Sequence, residues 1–215
     1  YGSAVAPNNA GLQRIGQKFA TYNSYTPQKA SQLYYASGDS VDWAYGALGI
    51  PAYTFECGTT FMPPYGQVDS DQWPRNFPAL VYAAKIARMP YSLSKGPDAR
   101  SLALSATPSN LVVLTATIDD TDNGGQDIAA AQCCIAVPFW QTGCVAFAMS
   151  PADGSFNSRV ELVRAFIPEA MLTNGAPLVF VRGRDALANW GPVSGVLADE
   201  IPEPRLLLAL MAMGM

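Results

Sequence analysis

The spacing of apolar residues changes about halfway along this 215-residue chain. Before residue 90 they recur every three or four positions, as from Leu12 through Ile15 to Phe19, which is typical of helices that bury one face. Beyond residue 100 the period becomes two, and turns such as Asn174-Gly175 separate the apolar runs. Short strands are therefore expected at 111–118, 128–137, 145–149, 159–167, 178–182 and 193–197.

This change predicts two domains of different class. Residues 1–93 alternate helices with two β-rich runs, at 32–36 and 52–57, and predict an α/β domain with a mixed sheet. Residues 94–100 are expected to form a linker, residues 101–199 an all-β sandwich of the immunoglobulin or fibronectin type, and residues 200–215 a tail. The charge changes at the same place, from a net +1 over residues 1–99 to −5 over the remainder.

Composition excludes several classes of function. The chain has no histidine, so it contains no Ser-His-Asp triad and no imidazole ligand for a metal. Its net charge of −4 and the absence of a basic patch argue against a nucleic-acid partner.

The four cysteines form no CxxC pair, which leaves zinc-ribbon and redox motifs unsupported. Two interpretations stay open, a local disulfide in an exported protein and buried free thiols in a reducing compartment. If a disulfide forms, Cys144 is expected to pair with either Cys133 or Cys134, since these two neighbours lie on opposite faces of one strand.

Two acidic features are candidates for chemistry. Glu56 ends an apolar run, where a desolvated carboxylate can serve as a general base; a solvent-facing strand-end glutamate is the structural alternative. The loop 119–124, with Asp119, Asp120, Asp122 and Asn123, offers oxygen atoms that suit Ca²⁺, but it lacks the spacing of an EF-hand, and a solvated turn is the alternative.

The first ninety residues resemble a known enzyme family. The run from Tyr34 to Tyr45 reads YYASGDSVDWAY, and after Gly49-Ile50 it is followed by Tyr53-Thr54-Phe55-Glu56. This order resembles the bacterial zinc carboxypeptidases of peptidase family M14, as do Pro7 to Gln13 and Tyr25-Thr26-Pro27 upstream. The likeness implies a metallocarboxypeptidase that removes C-terminal residues from peptides and proteins.

The resemblance also implies roles for particular residues. Glu56 matches the catalytic glutamate of the family, which polarises the zinc-bound water and carries its proton to the leaving amine. Tyr34 matches the mobile tyrosine that closes over the substrate, and Tyr35 is the alternative if the match slips by one residue. Val41 matches the base of the specificity pocket, which implies apolar or aromatic C-terminal residues as substrates, and Thr54 lines that pocket.

The metal ligands of the family are not carried by this chain. In the family the His-x-x-Glu pair, a later histidine and the substrate-binding arginines precede the segment matched here. We therefore expect Zn²⁺ only in a complete enzyme, no zinc in this chain alone and no activity from it. We also expect residues 1–90 to expose apolar surface that the rest of a catalytic domain would cover.

The second half and the tail suggest export. The segment 181–194, with Arg182-Gly183-Arg184-Asp185 and Asn189-Trp190-Gly191-Pro192, resembles immunoglobulin-like modules appended to exported bacterial peptidases. Pro202-Glu203-Pro204 before an apolar run resembles the start of a PEP-CTERM sorting signal, with a tail that docks on the protein body as the alternative. A bacterial secreted or cell-surface location is expected, with sorting to the membrane or cell surface through this tail.

A second function, from a different class, stays open. The chain can also be a non-catalytic extracellular binding protein built from a carboxypeptidase remnant and a β-sandwich. Tyr34 and Glu56 in the family's order favour the enzyme, because a remnant has no reason to keep them.

Overall fold

The computed structural model describes residues 4–35, 38–172 and 177–198. The chain divides into two compact units, Tyr1–Ser94 and Lys95–Met215, which we call the helical unit and the β unit. Among the described residues, no helix combines the length and apolar character needed to cross a bilayer. The predicted sorting signal at 202–204 and the apolar run after it lie outside the described residues.

The helical unit is built on two long helices. In order along the chain its helices are α1 (Asn9–Asn23), α2 (Ala30–Leu33), α3 (Ser40–Leu48), a π-helical turn (Val68–Gln72), α4 (Trp73–Ile86) and α5 (Pro90–Leu93). Ile15 and Phe19 on α1 pack with Ala79, Tyr82 and Ile86 on α4 to form the core of the unit. The predicted helical spacing on α1 is thus confirmed, and its buried face is the one that the periodicity indicated.

The sheet predicted for the first domain is not present in the described part of the helical unit. The β-rich run at 32–36 is wrong, because α2 covers Ala30–Leu33, and residues 52–57 form no strand. A strand exists only where a neighbouring strand pairs its backbone, and no described segment of this unit pairs with residues 52–57. Their aromatic side chains pack on α1 instead.

Helix α3 is held at its two ends and buries little. The Asp39 carboxylate caps it by accepting from Val41 N at 2.9 Å, and Gly49 ends it in the left-handed conformation with φ 68°. None of its residues is buried. Trp43 on this helix and Phe61, Met62 and Tyr65 beyond it are each more than half exposed, so large apolar side chains of this unit do face solvent.

The β unit is an antiparallel sheet of seven strands. They are β1 (Asp98–Ala106), β2 (Leu111–Asp119), β3 (Ile128–Ile135), β4 (Phe147–Pro151), β5 (Val160–Pro168), β6 (Leu178–Asp185) and β7 (Ser194–Leu197), with a 3₁₀ turn at Glu169–Met171. All six predicted strands are confirmed, with small shifts at their ends. Strand β1 was not predicted, and it begins inside the segment 94–100 expected to be a linker.

The strand order is that of one continuous sheet and not of two separate sheets packed face to face. It runs β1-β2-β5-β4-β3-β6-β7, because β4 pairs with β3 through Met149 and with β5 through Ser150 and Pro151. The Ser194 hydroxyl on β7 donates to Ala99 O on β1 at 2.5 Å, which brings the two outer strands together. The sheet is therefore nearly closed, and an immunoglobulin-type sandwich is not shown.

One face of this sheet forms the core. On β2 the alternate residues Val112, Leu114, Ala116 and Ile118 are fully buried, and Val163 on β5 packs in the same cluster. Cys133 also points into this core, whereas its neighbour Cys134 forms a disulfide with Cys144. The expected pairing of Cys144 with one of the two neighbours is thus confirmed, and burial raises the pKa of the remaining Cys133 thiol to about 11.

Gly191 lies where two loop backbones meet. A Cβ atom at this position would fall well inside contact distance of the carbonyl oxygen of Pro97. We expect Gly191→Ala to lower the free energy of unfolding by about 2–3 kcal/mol, because backbone cannot move aside as a flexible side chain can. Urea denaturation measures this change. Gly66→Ala is the control, because Gly66 has no positive φ and a Cβ atom there meets nothing within 4 Å, so this substitution should not lower the stability.

Candidate active site

The run Tyr53-Thr54-Phe55-Glu56 has two different faces. The rings of Tyr53 and Phe55 pack edge-on against Phe19, with centroids at 5.1 and 5.3 Å. Thr54 and Glu56, the alternate residues, are exposed. The structure therefore brings two of the predicted site residues to one solvent-facing side of a single segment, and their apolar neighbours fix that segment on α1.

The anchoring side of the segment is reinforced by a hydrogen bond. The Tyr53 hydroxyl donates to Leu12 O on α1 at 2.9 Å. Burial raises the pKa of Tyr53 above its ordinary value, and nearby Tyr91 raises it further. The hydroxyl consequently remains a donor over the whole physiological pH range, so this anchor does not loosen by ionisation.

Asn76 on α4 fixes the end of the same segment. Its side-chain amide nitrogen lies 3.1 Å from Tyr25 OH and 3.7 Å from Cys57 Sγ, and its oxygen accepts from Asn23 Nδ2 at 3.2 Å. Sequence reasoning missed Asn76. The only sign of it in the sequence is an amide side chain on the apolar face of a helix. Buried polar groups almost always have hydrogen-bond partners, so such an amide is expected to hold other groups in place.

Tyr34 and Val41, the other two predicted site residues, lie on separate elements. Tyr34 directly follows α2 and is exposed, as is its alternative Tyr35. Val41 is the second residue of α3 and is half-buried. Within the described residues no hydrogen bond or ring contact joins Tyr34 or Val41 to Thr54 or Glu56.

A hydrogen-bonded chain of side chains positions the helix that carries Val41. The Tyr45 hydroxyl on α3 donates to Asn8 Oδ1, and Asn8 Nδ2 contacts Tyr91 OH at 2.6 Å. This chain ties α3 to the start of α1 and to α5. The pKa of Tyr91 is raised, mainly by burial and also by Tyr45, which keeps its hydroxyl protonated in this contact.

The described residues do not fit a zinc site. Across residues 4–35, 38–172 and 177–198, no three His, Cys, Asp or Glu side chains are grouped so that they could hold a metal ion. The sequence as a whole has no histidine. Glu56 itself is exposed and shows no ion pair in the described structure, so it is the solvent-facing glutamate of the two alternatives and not a desolvated carboxylate.

The acidic loop in the β unit folds as a turn. Asp119 pairs with Arg100 and accepts from Thr121 N at 2.8 Å, and the buried Asp120 accepts from Gln126 N at 2.7 Å. Both oxygens of Asp119 and one of Asp120 are thus bound by the protein itself, whereas Asp120 Oδ1 is buried without a hydrogen-bond partner in the described structure. No group of three acidic side chains among the described residues could hold a metal ion, which favours the turn over a Ca²⁺ site. Burial, with the nearby charges of Asp185, Asp119 and Asp98, raises the pKa of Asp120 to about 6.

The raised pKa of Asp120 predicts a pH dependence of stability. The folded state keeps a proton on Asp120 up to about pH 6, whereas the unfolded chain releases it near pH 4. The contribution of Asp120 to the free energy of unfolding is therefore largest below pH 4 and is lost as the pH rises to about 6. We expect Asp120→Asn, which keeps an acceptor for Gln126 N, to remove this loss and to stabilise the protein on the order of 2 kcal/mol at pH 7.5.

Urea midpoints of the native protein and Asp120→Asn from pH 4 to 8 measure this effect. The difference between the two should grow through pH 4–6 and then level off. Asp127→Asn, an exposed change in the same loop, should follow the native curve. A constant difference across the whole range would show that Asp120 ionises normally.

Comparison with known proteins identifies part of the chain. Residues 3–77 match the model of the zinc carboxypeptidase family, peptidase M14. No curated protein matches the chain. A crystal structure of wild-type OgpA from Akkermansia muciniphila is similar over 49% of this chain and 29% of its own, with 10% sequence identity and a TM-score of 0.34. The chain therefore spans less than a third of the length of that protein.

The family match covers the elements that carry all four predicted site residues, from α1 to the start of α4. It leaves the β unit unmatched. Residues 3–77 are thus a carboxypeptidase-like region of the zinc-dependent M14 type.

Proposed function

We propose that residues 3–77 form part of the catalytic domain of a metallocarboxypeptidase, which hydrolyses the last peptide bond of peptides and proteins. The observation that carries the proposal is the family match over the segment that presents Thr54 and Glu56 on one exposed face. The exposed apolar side chains of the helical unit further support it, because they suit a surface on which the remainder of such a domain packs.

Each site residue has a role in this proposal. Glu56 takes a proton from the attacking water and returns it to the leaving amine, and the packing of its aromatic neighbours on Phe19 holds it in position. Tyr34 closes over the substrate, and its exposed position after a short helix leaves it free to move. Val41 and Thr54 contact the C-terminal side chain of the substrate.

Zinc enters the proposal only from outside this sequence. The family is zinc-dependent, and residues 4–35, 38–172 and 177–198 offer no donor set for the ion. In this proposal the zinc ligands therefore come from residues outside this sequence. The chain of 215 residues is therefore proposed to be inactive by itself, and its part in catalysis is to supply the general base and the pocket.

We also propose that the protein works outside the cytoplasm, in the secreted or surface-bound state. The disulfide between Cys134 and Cys144 supports this location, because such bonds persist mainly in oxidising compartments. A direct check is the thiol count of protein isolated from its native compartment. Four free thiols would contradict the location.

The experiment that tests the function uses protein expressed from the complete gene. Benzoylglycyl-phenylalanine is the substrate, and release of phenylalanine is followed with and without 1,10-phenanthroline. We expect hydrolysis that the chelator abolishes and Zn²⁺ restores, and no hydrolysis by the 215-residue chain. A zinc-loaded complete protein that releases no C-terminal residue from any of a set of blocked dipeptides would favour the non-catalytic binding protein.

A further inference from the structure

Arg182 on β6 is held between two aromatic rings. Its guanidinium carbon lies 4.1 Å from the ring centroid of Phe139 and 4.0 Å from that of Trp190. Two aromatic rings therefore lie against the guanidinium, whose hydrogen-bonding groups are at its edges. Phe139 lies in the loop between Cys134 and Cys144, so the disulfide holds one wall of this arrangement in place.

One edge of the Arg182 guanidinium forms hydrogen bonds within the protein, and another edge forms none in the described structure. Nε and Nη2 both donate to Gln132 Oε1 on β3, at 3.3 and 2.8 Å. Gln132 is neutral, and within the described residues Nη1 has no acceptor and Arg182 has no carboxylate partner. Burial lowers the pKa of Arg182, yet arginine remains charged at physiological pH, so a half-buried positive charge is left uncompensated.

Arg184 lies two residues further along the same strand, on the same face. Its guanidinium carbon is 5.4 Å from the Trp190 centroid, and its Nε is buried without a hydrogen-bond acceptor in the described structure. Acidic residues outnumber basic ones by eleven to six over residues 100–215, and Arg100 does pair with an aspartate. Two arginines that share one indole and form no ion pair with any described acidic side chain are therefore unusual in this unit.

We propose that Arg182 and Arg184 form a binding site for the carboxylates of an acidic peptide segment. The free edge of a guanidinium whose faces are stacked presents two parallel N–H groups, which match the two oxygens of a carboxylate. Stacking on Trp190 holds both groups in place before the ligand arrives, so little side-chain entropy is lost on binding. Trp140, half-exposed next to Phe180 on the same strand face, adds apolar surface for the peptide.

This site is independent of the proposed peptidase function. It lies wholly in the β unit, which the family match does not include. Its function is to hold a protein segment rich in Asp or Glu, and no bond is made or broken there.

Binding of acetyl-tetraglutamate amide to the 215-residue chain tests the proposal. Titration calorimetry at low ionic strength measures the affinity, and Arg Nε–H signals in ¹H–¹⁵N spectra report which arginines respond. We expect the signals of Arg182 and Arg184 to shift, and Arg184→Gln to weaken binding about tenfold or more, as for the loss of a charge-assisted bidentate contact. Arg184→Lys keeps the positive charge but loses the two parallel N–H groups of the guanidinium, so it should also weaken binding.

The matched control is Arg159→Gln, which removes the same charge from an exposed arginine before β5. It should leave the affinity within about twofold of the native value, since an exposed charge that is not part of the Arg182–Arg184 pair is screened by solvent and salt. Equal losses in Arg159→Gln and Arg184→Gln would overturn the proposal, because they would indicate general charge attraction. Equal binding of acetyl-tetraglutamine amide or of inorganic sulfate, or no binding of the tetraglutamate at millimolar concentration, would overturn it too. If Arg184→Gln does not fold by circular dichroism, Arg184→Lys and the native NMR shifts decide.

Discussion

Glu56→Gln in the complete, zinc-loaded enzyme should lower kcat by about 10²–10⁴-fold, the range that a positioned general base contributes. The glutamine has the same size, and Glu56 is exposed with no ion pair in the described structure, so the substitution should not disturb the fold. KM should change little, because the lost interaction is made only during proton transfer. Steady-state hydrolysis of benzoylglycyl-phenylalanine gives both constants.

Asp69→Asn provides the matched control for this loss. Asp69 is an exposed acid of the same unit, outside the segment that carries Glu56, and its removal changes the net charge by the same amount. We expect kcat within about twofold of the native value, since surface charges act weakly at a distance. A Glu56→Gln enzyme as active as this control would show that another group is the base and that the assignment of Glu56 is wrong.

The period of two in the second half predicts its strands correctly because only one face of the sheet is buried. Alternate residues of β2 are all buried, so the apolar pattern and the strand coincide. Strand β1 escaped prediction for a local reason. It follows Gly96-Pro97 directly, and its register shifts between Arg100 and Ala103, where Ser101 has φ 51°. A bulge breaks the period of two, so no alternation was visible to predict it.

The helical unit shows the opposite case. Residues 52–57 have the composition of a strand, but composition states only that a segment suits a pleated, half-buried surface and does not supply the strand that pairs with it. The alternation in Tyr53-Thr54-Phe55-Glu56 still had its physical effect. It placed the two aromatic rings on Phe19 and the two candidate site residues towards solvent.

The residues that fix this segment could not be found from the sequence. Asn76 meets Cys57 across nineteen positions, and Asn8 meets Tyr45 and Tyr91 across thirty-seven and eighty-three. Such contacts are set by how the helices pack, and no local spacing encodes them. The site residues were found because a family resemblance supplied their order, whereas their support became visible only in the structure.

The position of Val41 leads to the second large effect, on substrate choice. Val41 lies in the first turn of α3. In the proposed function it forms the base of the specificity pocket, where an apolar side chain cannot compensate a buried ammonium or guanidinium. We therefore expect the complete enzyme to hydrolyse benzoylglycyl-phenylalanine at least about tenfold more efficiently, in kcat/KM, than benzoylglycyl-arginine. Val41→Asp should reverse this preference. The new carboxylate pairs with the arginine side chain of one substrate, whereas the phenyl ring of the other removes water from the carboxylate without pairing with it.

Asp42 allows the assignment of Val41 to be tested against a shift of one residue. Consecutive residues of a helix point about 100° apart, so Val41 and Asp42 cannot both form the base of one pocket. If Val41 forms the base of the pocket, Asp42→Asn should leave the preference for phenylalanine unchanged. The substitution should then affect only the stability of the first turn of α3, where the helix dipole stabilises a negative charge. If Asp42 does, the native enzyme should prefer arginine and Asp42→Asn should abolish that preference. The same pair of substrates, assayed on the native enzyme and the two variants, decides between them.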